Sequence, residues 1–239
     1  LDAISAMKQF PSLASRRRAP RIALASFVAA MLLPQQAFAQ AEQRVLVTDA
    51  KLALATFIND PDMNWLQRNL GDAKAVLIAP RITKAGFIVG GSGGRAVAFA
   101  RDPDTGSWAG PAFYTLATAS VGFQAGIAVS QVVTLVMTDR GLNSLLSRSF
   151  RIGGDASVAA GPVGTGAQSN LAADLISFSR AKGVYGGLNL HGTIVSVSTD
   201  WNDLYYGRSV NATDILIRRN VHNGQASELL NMLASATKK

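Results

Sequence analysis

RAVAFARDPDTGSWAGPAFYT, residues 95–115, is the stretch whose reading decides the fold. Its centre, Asp102-Pro103-Asp104-Thr105-Gly106, is a turn sequence, and the runs 95–101 and 108–115 on either side are strand-like, so the whole reads as a β-hairpin. The same texture continues outward. Residues 75–79 and 87–89 are short apolar runs, and Gly90-Gly91-Ser92-Gly93-Gly94 follows them as a glycine-rich turn. Further on, Phe123, Ala125, Ile127 and Val129 alternate with Gln124, Gly126 and Ala128. That period of two predicts a strand with one tightly packed face, and 132–137 extends it. Residues 176–179 and 184–197 read as strands broken by Gly186, Gly187 and Gly192, the pattern of bulges and bends.

Helices lie at the two ends. Val47, Ala50, Leu54, Phe57 and Ile58 recur at helical spacing over 42–58. Asn59-Asp60-Pro61-Asp62 stops that helix, and Asp62 is placed to cap a short second one ending at Gly71. Asp139 starts a helix through Leu142, Leu145 and Leu146, 168–173 reads as an exposed loop, and 213–219 and 225–236 are helical. No repeat and no internal linker appear. The fold expected is α+β: a single domain with a glycine-rich, mainly antiparallel sheet or partly closed barrel, flanked by N- and C-terminal helices.

Composition narrows the function. The chain has 239 residues, 48% apolar and 16% charged, the reverse of a disordered composition. It has no cysteine, which excludes a disulfide scaffold and any cysteine-ligated metal. The formal charge is +8, but residues 1–39 read as an export signal that carries half of it. In that segment Met7 is a plausible initiator, Arg16, Arg17, Arg18 and Arg21 form a basic region, and residues 22–33 are an apolar run too short to span a bilayer. Pro34 breaks the run, and Ala37-Phe38-Ala39 supplies the small-x-small cleavage pattern. General secretion is favoured over the twin-arginine route, with a mature chain of 40–239 in the periplasm or secreted. The remaining charge is spread without a basic run, so no nucleic-acid partner is expected.

Catalytic and metal motifs fall away on inspection. Gly90-Gly91-Ser92-Gly93-Gly94 fits G-x-S-x-G, but a nucleophile elbow needs a helix after it and 95–101 alternates like a strand. The same lack of a helix removes a dinucleotide fingerprint at 91–96. Asp102, Asp104 and Gly106 resemble half of a calcium loop whose closing acid would fall at Phe113. His191 stands alone as a titratable group on its strand, and loop-capping accounts for Asp200, Asp203 and Asp214. No catalytic residue, cofactor or metal is assigned.

The order of glycine motifs is the informative feature. Residues 75–80 lead into Lys84-Ala85-Gly86-Phe87-Ile88-Val89-Gly90-Gly91-Ser92-Gly93-Gly94. Trp108-Ala109-Gly110-Pro111-Ala112-Phe113 and Gly122-Phe123-Gln124-Ala125-Gly126 come next. Then come residues 154–164 (GDASVAAGPVG), Ser179-Arg180-Ala181-Lys182-Gly183-Val184-Tyr185-Gly186-Gly187 and Tyr205-Tyr206-Gly207. This series, covering nearly all of 42–239, resembles the SYLF domain family, also called the Ysc-type actin-regulator family. The resemblance implies a phospholipid-binding domain whose ligands are phosphoinositides and other anionic lipids. Eukaryotic members also bind actin at membranes. The chain departs from them in its export signal, in lacking an SH3 or FYVE domain, and in Phe178, where the family often has tyrosine. An exported chain would not meet actin, so the partner expected is anionic phospholipid at a membrane surface; the alternative is a protein partner bound through the glycine-rich sheet. Anionic headgroups need cationic donors beside accessible backbone N–H groups. Lys84 and Arg95, flanking one glycine-rich turn, and Arg180 and Lys182, adjoining another, are the candidate binding residues.

Overall fold

Runs such as 75–79 and 96–100, apolar without alternation, belong to strands covered on both faces. The computed structural model describes residues 40–86, 89–121, 126–164, 172–181, 184–185 and 190–238, and residues 40–239 form one compact unit. The export-signal reading of 1–39 lies outside the described residues. The strands are β1 (Ala75–Gly86), β2 (Val89–Arg101), β3 (Trp108–Val121), β4 (Gly126–Val136), β5 (Ser149–Arg151), β6 (Val158–Ala160), β7 (Leu175–Ala181), β8 (Val184–Tyr185) and β9 (Ile194–Val197). They form one sheet in the order β5-β9-β3-β2-β1-β4-β7-β6, with β8 paired to β7. Every pairing is antiparallel except β6 with β7. The α+β architecture and the 95–115 hairpin are as the sequence predicts.

The helices are α1 (Ala41–Ile58), α2 (Asn64–Asn69), α3 (Asp139–Leu146), α4 (Thr199–Tyr206), α5 (Ala212–Leu216) and α6 (Ser227–Ala236). Helix α1 buries Val47, Ala50, Leu54 and Phe57, a stripe set by the three-and-four spacing of the helix. With α2, α4 and α6 it covers one sheet face, where Val76, Ile78, Val97, Phe99, Phe113, Leu135 and Phe178 are buried. On the opposite face the side chains of β2 are small: Ala96, Ala98 and Ala100, with Ala75 and Ala112, pack with Leu77, Leu116 and Tyr114 under α3 and α5. Large and small residues therefore alternate along β2, and each face receives a layer of matching depth. We call these the large-residue and small-residue faces.

Four local readings change. Asp60, not Asp62, caps the segment after α1, its carboxylate accepting from the Asp62 N–H. Residues 90–94 are not a turn; they run inside β2 and pair with both β1 and β3. Ile127 and Val129 do share a face, but they are 76% and 46% exposed instead of tightly packed, and Phe123 and Ala125 lie outside the described residues. Asp200 and Asp203, read as loop-capping residues, lie within α4. Most of the 168–173 loop lies outside the described residues.

Asp174 ties three of these elements together. Its buried carboxylate accepts from the Thr138 hydroxyl at the α3 N-cap and from the Ser157 N–H (2.9 Å) and hydroxyl (2.7 Å) just before β6. The Thr138 hydroxyl, then the Ser157 groups and Arg140, hold the carboxyl below its ordinary value against the opposing effect of burial. That stabilisation is complete above the ordinary carboxylate pKa and is lost as pH falls through the lowered folded value. Urea unfolding of Asp174→Asn at pH 7 is expected to show a loss of about 2 kcal/mol. The gap to the parent should begin to shrink below about pH 4, where the carboxyl of the unfolded chain takes up its proton, and close as pH falls through the lowered folded value.

Candidate functional site

Proline has no N–H to give a central strand, and Pro80 sits in the middle of β1 with neighbours on both sides. The strand accommodates it with a bulge. Ile78 is opposite Val97 on β2, but the next partner of Arg95 is Arg81; on the other side Ala79 is opposite Val132 and Ile82 is opposite Ser130. One extra residue stands in β1 against each neighbour, and Pro80 has no partner in either ladder. Beyond the bulge the faces of β1 exchange. Arg81 and Thr83 join the large-residue face, while Ile82 is buried in the core of the small-residue face.

This exchange assembles a row. Arg95 on β2 and Arg81 on β1 are directly paired. Gln131 on β4 shares the face of Val133 and Leu135, and it pairs with Arg180 on β7, which shares the face of Ile176 and Phe178. Arg95, Arg81, Gln131 and Arg180 thus cross four adjacent strands on one face, a span of about 14 Å at normal strand spacing. The row lies where the helical cover ends. Past it, Thr83, Ala85, Ala117, Ala119, Ile127 and Val129 are exposed. Helix α4 supplies one more element: the Arg95 guanidinium stacks on the Trp201 ring, 3.8 Å from its centroid. Arg81 and Arg95 make no ion pair among the described residues.

Of the four residues singled out from the sequence, the structure brings Arg95 and Arg180 into this row. Lys84 is exposed and paired with Ser92, on the opposite face of the sheet. Lys182 lies outside the described residues. The backbone cradle expected at 90–94 is absent, because those residues pair in the ladder. Arg81 and Trp201 were missed. Simple alternation from Val76 and Ile78 sends Arg81 to the wrong face; the mid-strand Pro80 was the available signal. For Trp201 the signal was the helical spacing of Trp201 and Tyr205 before a stop at Gly207, which takes the left-handed conformation there.

The tempting polar groups have structural work. Ser92 lies inside β2 without the strand-to-helix turn of a nucleophile elbow. Asp102 accepts from the Thr105 and Asp104 N–H groups and pairs with Arg219. The Thr105 N–H above all lowers its carboxyl pKa. Asp203 caps the Val210 N–H, and Asp214 closes a capping box with Asn211 at α5. The His191 ring packs where a side chain on Gly153 would stand. Among the described residues no group of three or more potential ligands is placed to hold a metal, and no helix is long and apolar enough to cross a membrane.

Comparison with known proteins adds a family. A family model described as Ysc84, Las17-binding protein actin regulator, matches residues 117–236. SH3 domain-containing YSC84-like protein 1 of Homo sapiens is 31% identical over 186 residues, covering 76% of this chain and 54% of that protein. LAS seventeen-binding protein 3 of Saccharomyces cerevisiae is 30% identical over 145 residues, 58% of this chain and 31% of its own. The chain spans about half the length of the YSC84-like relative.

The bulge is testable through Gly94, which lies opposite Ile82. A Cβ there would stand 2.3 Å from the Arg81 carbonyl oxygen, whereas one on Gly93 would meet only the Leu116 carbonyl at 3.4 Å. Gly94→Ala is expected to cost about 2 kcal/mol or more in urea unfolding, and Gly93→Ala less than about 1.

Proposed function

The chain belongs to the Ysc84 (SYLF) family, and we propose that it is a non-enzymatic phospholipid-binding domain of the bacterial cell envelope that docks on anionic headgroups. The observation that carries this reading is the row Arg95, Arg81 and Arg180, placed on the same sheet face as the exposed Ile127 and Val129, with the exposed Val45 of α1 lining the same groove as Arg81 and Arg95. Cations beside exposed apolar side chains suit a surface whose headgroups are anionic and whose interior is apolar. Guanidinium groups bind phosphate through two parallel hydrogen bonds, and each basic residue near an anionic leaflet contributes about 1 kcal/mol. The export signal read in residues 1–39 would bring the domain to the periplasm or outside the cell. Lys182 keeps its place in the set on sequence grounds alone, and Lys84 is secondary because it faces away.

A second reading rests on the relatives' names. The yeast relative is named for binding LAS seventeen, so the same face can be read as one that meets a protein partner.

Co-sedimentation of the chain with phosphatidylcholine vesicles containing phosphatidylglycerol tests the first reading. Pelleting should require the anionic lipid and weaken with salt. Replacing Arg81, Arg95 and Arg180 together with Gln should weaken it about 100-fold, and Lys84→Gln only severalfold. Pelleting indifferent to anionic lipid would overturn the lipid reading and leave the protein-partner one. A Lys84 loss as large as that of the triple variant would overturn the assignment to this face.

A further inference from the structure

The first turns of α1 and the uncovered part of β1 and β2 enclose a groove of about 460 Å³. Its apolar wall is formed by Val45 and Leu46 from the helix, Pro80 from the sheet and Trp201 from α4, with Thr83 beside them. Val45 is 59% exposed, so this wall is built of apolar surface left open to solvent. Arg81 and Arg95 also line the groove, on the sheet side, and Glu42 and Asp49 line its helix side.

We infer that this groove takes the hydrocarbon chain of a fatty acid, with its carboxylate paired to Arg81 and Arg95. The lining runs along α1 from Ala41 to Asp49, about 12 Å at the helical rise, with apolar side chains along its length and the two arginines on one side. A single alkyl chain is narrow enough to lie within it, and the charges set its direction. A carboxylate finds two adjacent guanidinium groups on the sheet side, while Glu42 and Asp49 repel it from the helix side. The stack of Arg95 on Trp201 fixes one guanidinium beside the apolar wall, so chain and carboxylate are engaged together. The assignment rests on reading the arginine row as an anion site, and it adds an occupant with a tail.

Calorimetric titration of the full chain with octanoate, decanoate and dodecanoate, each kept below its micelle concentration, tests it. Affinity should rise about fifteenfold for each added pair of methylenes. Dodecanol should bind at least tenfold more weakly than dodecanoate. Thr83→Trp, which fills the groove from an exposed position, should abolish dodecanoate binding, and Arg81→Gln with Arg95→Gln should weaken dodecanoate at least tenfold. No heat with any carboxylate, no dependence on chain length, or unchanged binding in Thr83→Trp would overturn the groove assignment. If the parent pellets with anionic vesicles in that event, headgroup docking stands and only the groove falls. If dodecanoate binds as expected and vesicles do not pellet, the groove stands and the membrane reading falls.

Discussion

A proline in the middle of a central strand is the constraint on which the functional face depends. Pro80 lacks the N–H that a neighbouring ladder would otherwise use, and the bulge at Pro80 inserts one residue into β1 against β2 and β4 alike. Because side chains alternate with period two, one inserted residue exchanges every side chain beyond it between the faces. Without the bulge, Lys84 would stand with Arg95, and Arg81 would point into the small-residue layer now occupied by Ile82. With it, Arg81 meets Arg95 and Ile82 fills the core. One local backbone requirement thus settles burial and charge placement together. Gly94 is part of the same arrangement, since the Arg81 carbonyl approaches too closely for a side chain there.

The sheet has two regimes divided at this row. On one side both faces are covered, the large-residue face by α1, α2, α4 and α6 and the small-residue face by α3 and α5, and the strands are mostly apolar, with Thr134 and Ser177 hydrogen-bonded to each other. On the other side the four long strands continue past the helices with glycine, alanine, serine and threonine, and with Ile127 and Val129 exposed. The cationic row sits at that boundary. A surface that needs both charge and apolar contact is therefore built where the packed core gives way to solvent, on rigid strands that hold their side chains at fixed spacing.

Much of the fold could be read from residue patterns. The stripe of Val47, Ala50, Leu54 and Phe57, the hairpin around residues 102–106 and the α3 start beside Asp139 each depend on neighbours in sequence, which patterns report well. The glycine cluster 90–94 could not be read in the same way. Its local preference is for a turn, but pairing with β1 and β3 overrides that preference. Ile127 and Val129 alternate as a buried strand would, yet no helix reaches that far along the sheet. The candidate site was half legible. Arg95 and Arg180 were found from charge beside glycine motifs, whereas Arg81 depends on a register that only the paired strands reveal. Trp201 depends on a short helix hidden by its cluster of aspartates.

We propose that the face bearing Arg81, Arg95 and Arg180 lies against an anionic membrane. The chain has no cysteine, so single spin labels can be placed cleanly at Thr83→Cys, beside the row, and at Ile217→Cys, after α5 on the opposite side of the sheet. The most direct measurement is the accessibility of each label to a water-soluble nickel complex, with and without vesicles containing phosphatidylglycerol. The account predicts that the Thr83 label becomes shielded on vesicle binding and that the Ile217 label stays accessible. Shielding at Ile217 with no change at Thr83 would contradict it.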